Sequence, residues 1–71
     1  MVKLPKLSGE DLIKALKKAG FHFVRQRGSH ISLQKGKFQT VVPLHDELAM
    51  GTLLAILKQC GISREELQKY L

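Results

Sequence analysis

Seventy-one residues make one domain, taken here as 1–71, and leave no room for a second core or a cofactor-binding subdomain. A net charge of +6 and an isoelectric point near 9.8 point to a polyanionic partner, and the net basic charge lies in the first part of the chain, since the acidic residues from Asp46 on outweigh Lys58, Arg64 and Lys69. A single cysteine, Cys60, excludes an intramolecular disulfide and suits a reducing cytoplasm, while Leu53 to Leu57, the longest apolar run, is too short for a membrane span and the basic N-terminus has no apolar stretch behind it.

In chain order, Leu7-Ser8-Gly9-Glu10-Asp11-Leu12 marks a helix start. Ser8 can accept hydrogen bonds from free backbone N–H groups, Asp11 stands where a capping-box acid belongs, and Leu7 can staple onto Leu12. Leu12, Ile13, Leu16 and Ala19 recur at helical spacing with Lys14, Lys17 and Lys18 turned away from them, and Gly20 stops the helix. Phe21 to Arg27 reads as a strand whose register Phe23-Val24 disturbs; Gly28 supplies a turn. Ser29 to Gln34 alternates cleanly, so Ile31 and Leu33 share a buried face and His30, Ser32 and Gln34 take the opposite one. Lys35-Gly36 reverses the chain, and Lys37 to Val42 pairs back, with Phe38, Thr40 and Val42 on one side. Pro43 ends the sheet, and a loop with His45, Asp46 and Glu47 leads to a helix carrying Leu53, Leu54, Ile56 and Leu57 that Gly61 stops. Ile62 to Leu67 then repeats the start logic of residue 7, with Ser63 as cap and Ile62 stapled to Leu67, and a short helix runs to Leu71.

The expected fold is therefore α+β in the order α-β-β-β-α: a three-stranded antiparallel sheet, helices on one face, and a short extra C-terminal helix. Double-stranded RNA-binding domains share this layout. The other sheet face is left open, and His30 points to it.

Between Leu12 and His45 there is no acidic residue, while Lys14, Lys17, Lys18, Arg25, Arg27, Lys35 and Lys37 all fall there. Arg25 and Arg27 flank His30 in sequence, and Lys35 and Lys37 are expected on the strands beside it, where all four can hold phosphates by charge and hydrogen bonding. RNA carries its own nucleophile: a 2′-hydroxyl attacks the adjacent phosphate once its proton is removed and the charged transition state is stabilised. An exposed imidazole, titrating at about 6.5 when unperturbed, suits the proton transfer. On residues alone, His30 is equally well an exposed strand residue without chemistry. Ser29 is a candidate for a further hydrogen bond to RNA beside its usual turn-forming use.

The remaining candidates carry less. His45 reads first as a loop residue, with a second proton carrier as the alternative; His22 reads as structural, Cys60 as a small buried apolar residue, and Gly28, Gly51 and Gly61 as backbone devices. His22, His30, His45 and Cys60 are scattered without paired-ligand spacing, so no metal or other cofactor is expected. Adjacent Ser29 and His30, read as strand neighbours, project to opposite faces and do not make a Ser-His hydrolase pair.

Four stretches carry a more specific likeness: Leu12 to Phe21, Arg27-Gly28-Ser29-His30, Val42-Pro43-Leu44-His45, and Gly51-Thr52-Leu53 with Ile56 to Gln59 and Gly61-Ile62-Ser63. In order and spacing, along nearly the whole chain, they resemble the HicA toxin family. The resemblance implies a ribosome-independent mRNA endonuclease, the toxin of a type II toxin-antitoxin system, with His30 as the catalytic strand histidine. It also implies a HicB-like antitoxin partner, with the toxin monomeric when free and hetero-oligomeric in the complex. Many relatives place a second histidine or another polar residue directly after the motif; Ile31 stands there in this chain. Two other classes compete. A non-catalytic RNA-binding module usually has a lysine cluster opening its final long helix, and here that helix opens Gly51-Thr52-Leu53-Leu54 with only Lys58 further on. A purely protein-binding domain would use the same basic face for an acidic partner.

Overall fold

The structure, a computed structural model, describes residues 3–71. Helix α1 (Gly9–Lys18) is followed by strands β1 (His22–Arg27), β2 (His30–Lys35) and β3 (Phe38–Pro43), then by α2 (Met50–Cys60) and α3 (Arg64–Tyr70). The strands form one antiparallel sheet in the order β1-β2-β3.

Both expected capping boxes are present. Ser8 Oγ accepts from the Asp11 N–H at 3.1 Å while Asp11 accepts from the Ser8 N–H, and Ser63 and Glu66 repeat the exchange at the start of α3. Helix α2 differs: Ala49 precedes it and no side chain caps it, so its start rests on the burial of Leu53, Ile56, Leu57 and Cys60. Gly61 ends it at φ +67°, a left-handed turn that also lets the Phe38 ring lie over the glycine.

The core is a single apolar cluster in which Leu12, Leu16, Leu33, Val42, Leu53 and Leu67 are fully enclosed. Each such side chain contributes about 1.5–3 kcal/mol by leaving water. Helix α2 lies against β3, and α1 against β3 and α3, so the helices cover one face of the sheet. Strand β1 overhangs that cover: all six of its residues are exposed, with Phe23 at 51% and Val24 at 47%.

Several boundaries differ from the sequence reading: Lys35 ends β2, the reversal is Gly36-Lys37 rather than Lys35-Gly36, and β3 starts at Phe38 rather than Lys37. Phe21 is buried but lies before β1 rather than in it. Ser29 belongs to the turn, not to β2, so it is not a strand neighbour of His30 as expected. Pro43 pairs as the last residue of β3, where its missing N–H costs the edge strand little.

The disturbance at Phe23-Val24 is a bulge. Phe23 pairs with Leu33 and Arg25 with Ser32, leaving Val24 as the extra residue. The bulge restores parity: after it, Arg25 and Arg27 share a face with Ser32 and His30.

Candidate nucleic-acid interface

Directly paired residues of an antiparallel sheet stand on the same face, about 4.5–5.5 Å apart at Cβ. Arg27 pairs with His30, Arg25 with Ser32 and His22 with Gln34; on the other side His30 pairs with Pro43, Ser32 with Val41 and Gln34 with Gln39. All of these lie on the face away from the helices, because Ile31 and Leu33 between them point into the core. His30 is exposed, as are Arg25, Arg27 and Ser29. Arg27 is thus the direct cross-strand neighbour of His30, and Arg25 the diagonal one.

A shallow concavity of about 550 Å³ lies at the sheet, lined by Val24, Arg25, Ser32, Gln34 and Val41 and also by Leu33, Thr40 and, from α2, Gln59. His30 does not line it; it stands just past its end, two residues from Ser32. The arrangement therefore has a trough with a guanidinium in its wall and an imidazole at one end.

The hairpin that carries His30 is held closely. Gly28 opens its two-residue turn at φ +57°, which only glycine adopts without strain, and Ser29 follows with negative φ, the pattern of a type II′ turn. Gln26 Nε2 donates to the Gly28 carbonyl at 2.9 Å, bracing the turn from the strand. The Leu44 N–H donates to the Ser29 carbonyl at 2.7 Å, tying the turn to the exit of β3. Gly9, the first residue of α1, donates its N–H to the His45 carbonyl at 2.9 Å. It packs so closely that an added Cβ would overlap the Pro43 carbonyl oxygen. No sequence signal distinguishes this use of Gly9 from that of any glycine near a helix start.

The expectation that Lys35 and Lys37 lie beside His30 is corrected by the register. Lys35 pairs with Phe38 on the helix-facing side of the sheet, and its ammonium donates to the Ala19 carbonyl at 2.7 Å, capping the C-terminal end of α1 over Gly20. Lys37 sits in the far turn, with its ammonium 5.8 Å from the Phe38 ring centroid. That end lies five residue steps along β2 from His30, about 17 Å at strand rise.

Among the described residues no group of three or more His, Cys, Asp or Glu side chains is placed to hold a metal ion. Cys60 is buried, and burial pushes its thiol up to about 11, partly offset by a hydrogen bond with Thr40. It is a packing residue at neutral pH, not a nucleophile. His22 is exposed on the open face rather than enclosed. None of the described helices is long and apolar enough to cross a membrane.

The chain has no significant match among curated proteins. Residues 9–62 do match a family model described as the HicA toxin of bacterial toxin-antitoxin. The match runs from Gly9 at the start of α1 through the braced hairpin, the β3 exit and α2 to Ile62, and so takes in every element that positions His30. With more than half of its length matched, the chain belongs to the HicA family, the toxins of bacterial toxin-antitoxin pairs.

Proposed function

We propose that this toxin acts as a metal-independent endoribonuclease on mRNA, with His30 as the proton-transfer group and Arg25 and Arg27 as phosphate holders. The observation that carries the reading is the pairing of exposed His30 with Arg27, one residue pair from Arg25, on a sheet face free of helices. In this reading His30 takes the proton of a 2′-hydroxyl as its oxygen attacks the neighbouring phosphorus. The arginines offset charge on the crowded phosphate through bidentate hydrogen bonds. The products are a 2′,3′-cyclic phosphate and a 5′-hydroxyl. The exposed hydroxyl of Ser29 adds a hydrogen bond at the turn, and Lys37 meets a phosphate farther along the strand; Lys35 is committed to α1 and drops out.

An antitoxin of the HicB type silences the toxin by covering the same face, its acidic surface meeting the arginines. The free toxin is a cytoplasmic monomer and the silenced one a hetero-oligomer. This makes association salt-sensitive and cleavage absent at stoichiometric antitoxin; RNA cutting undiminished in a saturated complex contradicts it.

The test is incubation of wild-type and His30→Ala protein with RNA in EDTA. Cleavage by wild-type alone, unaffected by chelator, supports the reading. RNA bound but intact with both proteins favours a non-catalytic binding module. No RNA affinity even at low salt leaves a purely protein-binding domain.

A further inference from the structure

One proton carrier leaves the reaction half supplied. As the O2′–P bond forms, the P–O5′ bond breaks, and the departing 5′-oxygen needs a proton on the side of phosphorus opposite O2′, where the imidazole that serves O2′ does not reach. We infer that His45 is that second group: a catalytic general acid that protonates the 5′-oxygen. The assignment rests on the nuclease reading above.

The exit of β3 places it there. Pro43 is paired with His30, and Leu44 continues the ladder through its 2.7 Å bond to the Ser29 carbonyl. Val42 and Leu44 pack on the core, Pro43 between them pairs with His30 and is itself buried against Gly9, and His45 is the first exposed residue past it, just beyond the strand end. His45 is then the diagonal neighbour of His30, at about 7–8 Å between backbones, within reach of two side chains as long as imidazoles.

The loop is also fixed where a mere linker would not be. The His45 carbonyl accepts from Gly9, the Leu48 N–H donates to the Leu7 carbonyl at 2.7 Å, and Gly9 is pressed onto Pro43. The backbone of His45 is held at both sides while its side chain is exposed, which is the condition for a reacting group placed before substrate arrives. The charged and titratable groups on the elements around it are Arg27 and His30 on the hairpin, Glu10 and Asp11 in the first turn of α1, and Asp46 and Glu47 on its own loop, all exposed.

In the full step the 2′-hydroxyl proton passes to His30, the O2′–P bond forms, the P–O5′ bond breaks, and the His45 imidazolium gives its proton to O5′. Both rings return to their starting states by exchange with water.

The test uses an RNA oligonucleotide whose cut site is first mapped with the wild-type protein. It is then resynthesised with sulfur in place of the bridging 5′-oxygen at that site, because a thiolate leaves without needing a proton. His45→Ala and His45→Gln are expected to cut the ordinary RNA about 100-fold or more slowly. Both are expected to lose the fall in rate on the alkaline side of the pH profile and to cut the sulfur substrate within a few-fold of wild-type. His30→Ala is expected to stay slow on both. Circular dichroism and melting of the His45 variants are expected to match wild-type, since only an exposed side chain changes. A His45 variant that cuts ordinary RNA at the wild-type rate overturns the assignment alone, as does one equally slow on both substrates. Wild-type protein that cuts no RNA overturns the nuclease reading and the assignment with it.

Discussion

The two hairpins of the sheet are near copies with opposite uses. Gln26-Arg27-Gly28-Ser29-His30 and Gln34-Lys35-Gly36-Lys37-Phe38 each make a two-residue turn opened by a glycine at φ +57°, and each is braced by a glutamine amide on the glycine carbonyl, at 2.9 and 3.0 Å. Yet the first displays Arg27 and His30 to solvent, and the second turns Lys35 and Phe38 toward the helices, where they cap α1 and cover Gly61. The cause is parity. Five steps along β2 separate His30 from Lys35, an odd number, so the two ends of one strand present their cross-strand pairs to opposite faces. The same local motif is an exposed edge at one end of the sheet and a structural clasp at the other.

Substitutions at matched positions sharpen this contrast. The largest separation is expected between His30→Ala and Phe38→Ala. The first lowers RNA cleavage about 100- to 10,000-fold with binding retained. The second leaves the rate per folded molecule near wild-type but lowers the unfolding free energy by about 2–3 kcal/mol, as chemical denaturation reads it. Next in size is Gly9→Ala, whose Cβ collides with the Pro43 carbonyl oxygen. It is expected to cost about 2 kcal/mol or more in stability and to slow cleavage as well, because the β3 exit beside His30 must move. Gly28→Ala has open space around its Cβ and only the positive φ to overcome, so its cost is about 1–2 kcal/mol.

The arginine and lysine at equivalent turn positions come next. Arg27→Ala is expected to weaken RNA binding and to reduce the slope of log affinity against log salt by about 1. Lys35→Ala is expected to leave both unchanged and to cost about 1 kcal/mol through the lost cap on α1. Equal effects on RNA at the two positions contradict the contrast between the hairpins.

The last effect is confined to alkaline pH. The Cys60 thiol is held at about 11 against an ordinary value near 9.0, so the native state keeps a proton that the unfolded chain gives up. The sign follows: this contribution to stability is intact below about pH 9 and is lost as pH rises toward 11. Denaturant midpoints of wild-type and Cys60→Ala compared across that window should show the steeper decline in wild-type.

Much of the molecule was legible beforehand for local reasons. Ser8, Asp11, Ser63 and Glu66 announce their caps, the glycines announce the turns, and Ile31 and Leu33 fix which way His30 faces. What escaped depends on distant partners. Lys35 looks like Arg27 until the helix end it reaches is in place, Gly9 looks like any glycine until Pro43 arrives, and the extra residue at Val24 is set by pairing with β2. The sequence left His45 open between a loop residue and a second proton carrier, because the bond that fixes its backbone comes from α1, thirty-odd residues away in sequence.

The most direct test of the account is the chemistry of the RNA ends left by chelator-treated protein, wild-type against His30→Ala, read by mass spectrometry. Fragments ending in 2′,3′-cyclic phosphate and 5′-hydroxyl, made by wild-type and missing with His30→Ala, are the predicted result. Fragments with 3′-hydroxyl and 5′-phosphate ends, or equal cutting by the two proteins, would contradict a reaction run by the imidazole beside Arg27.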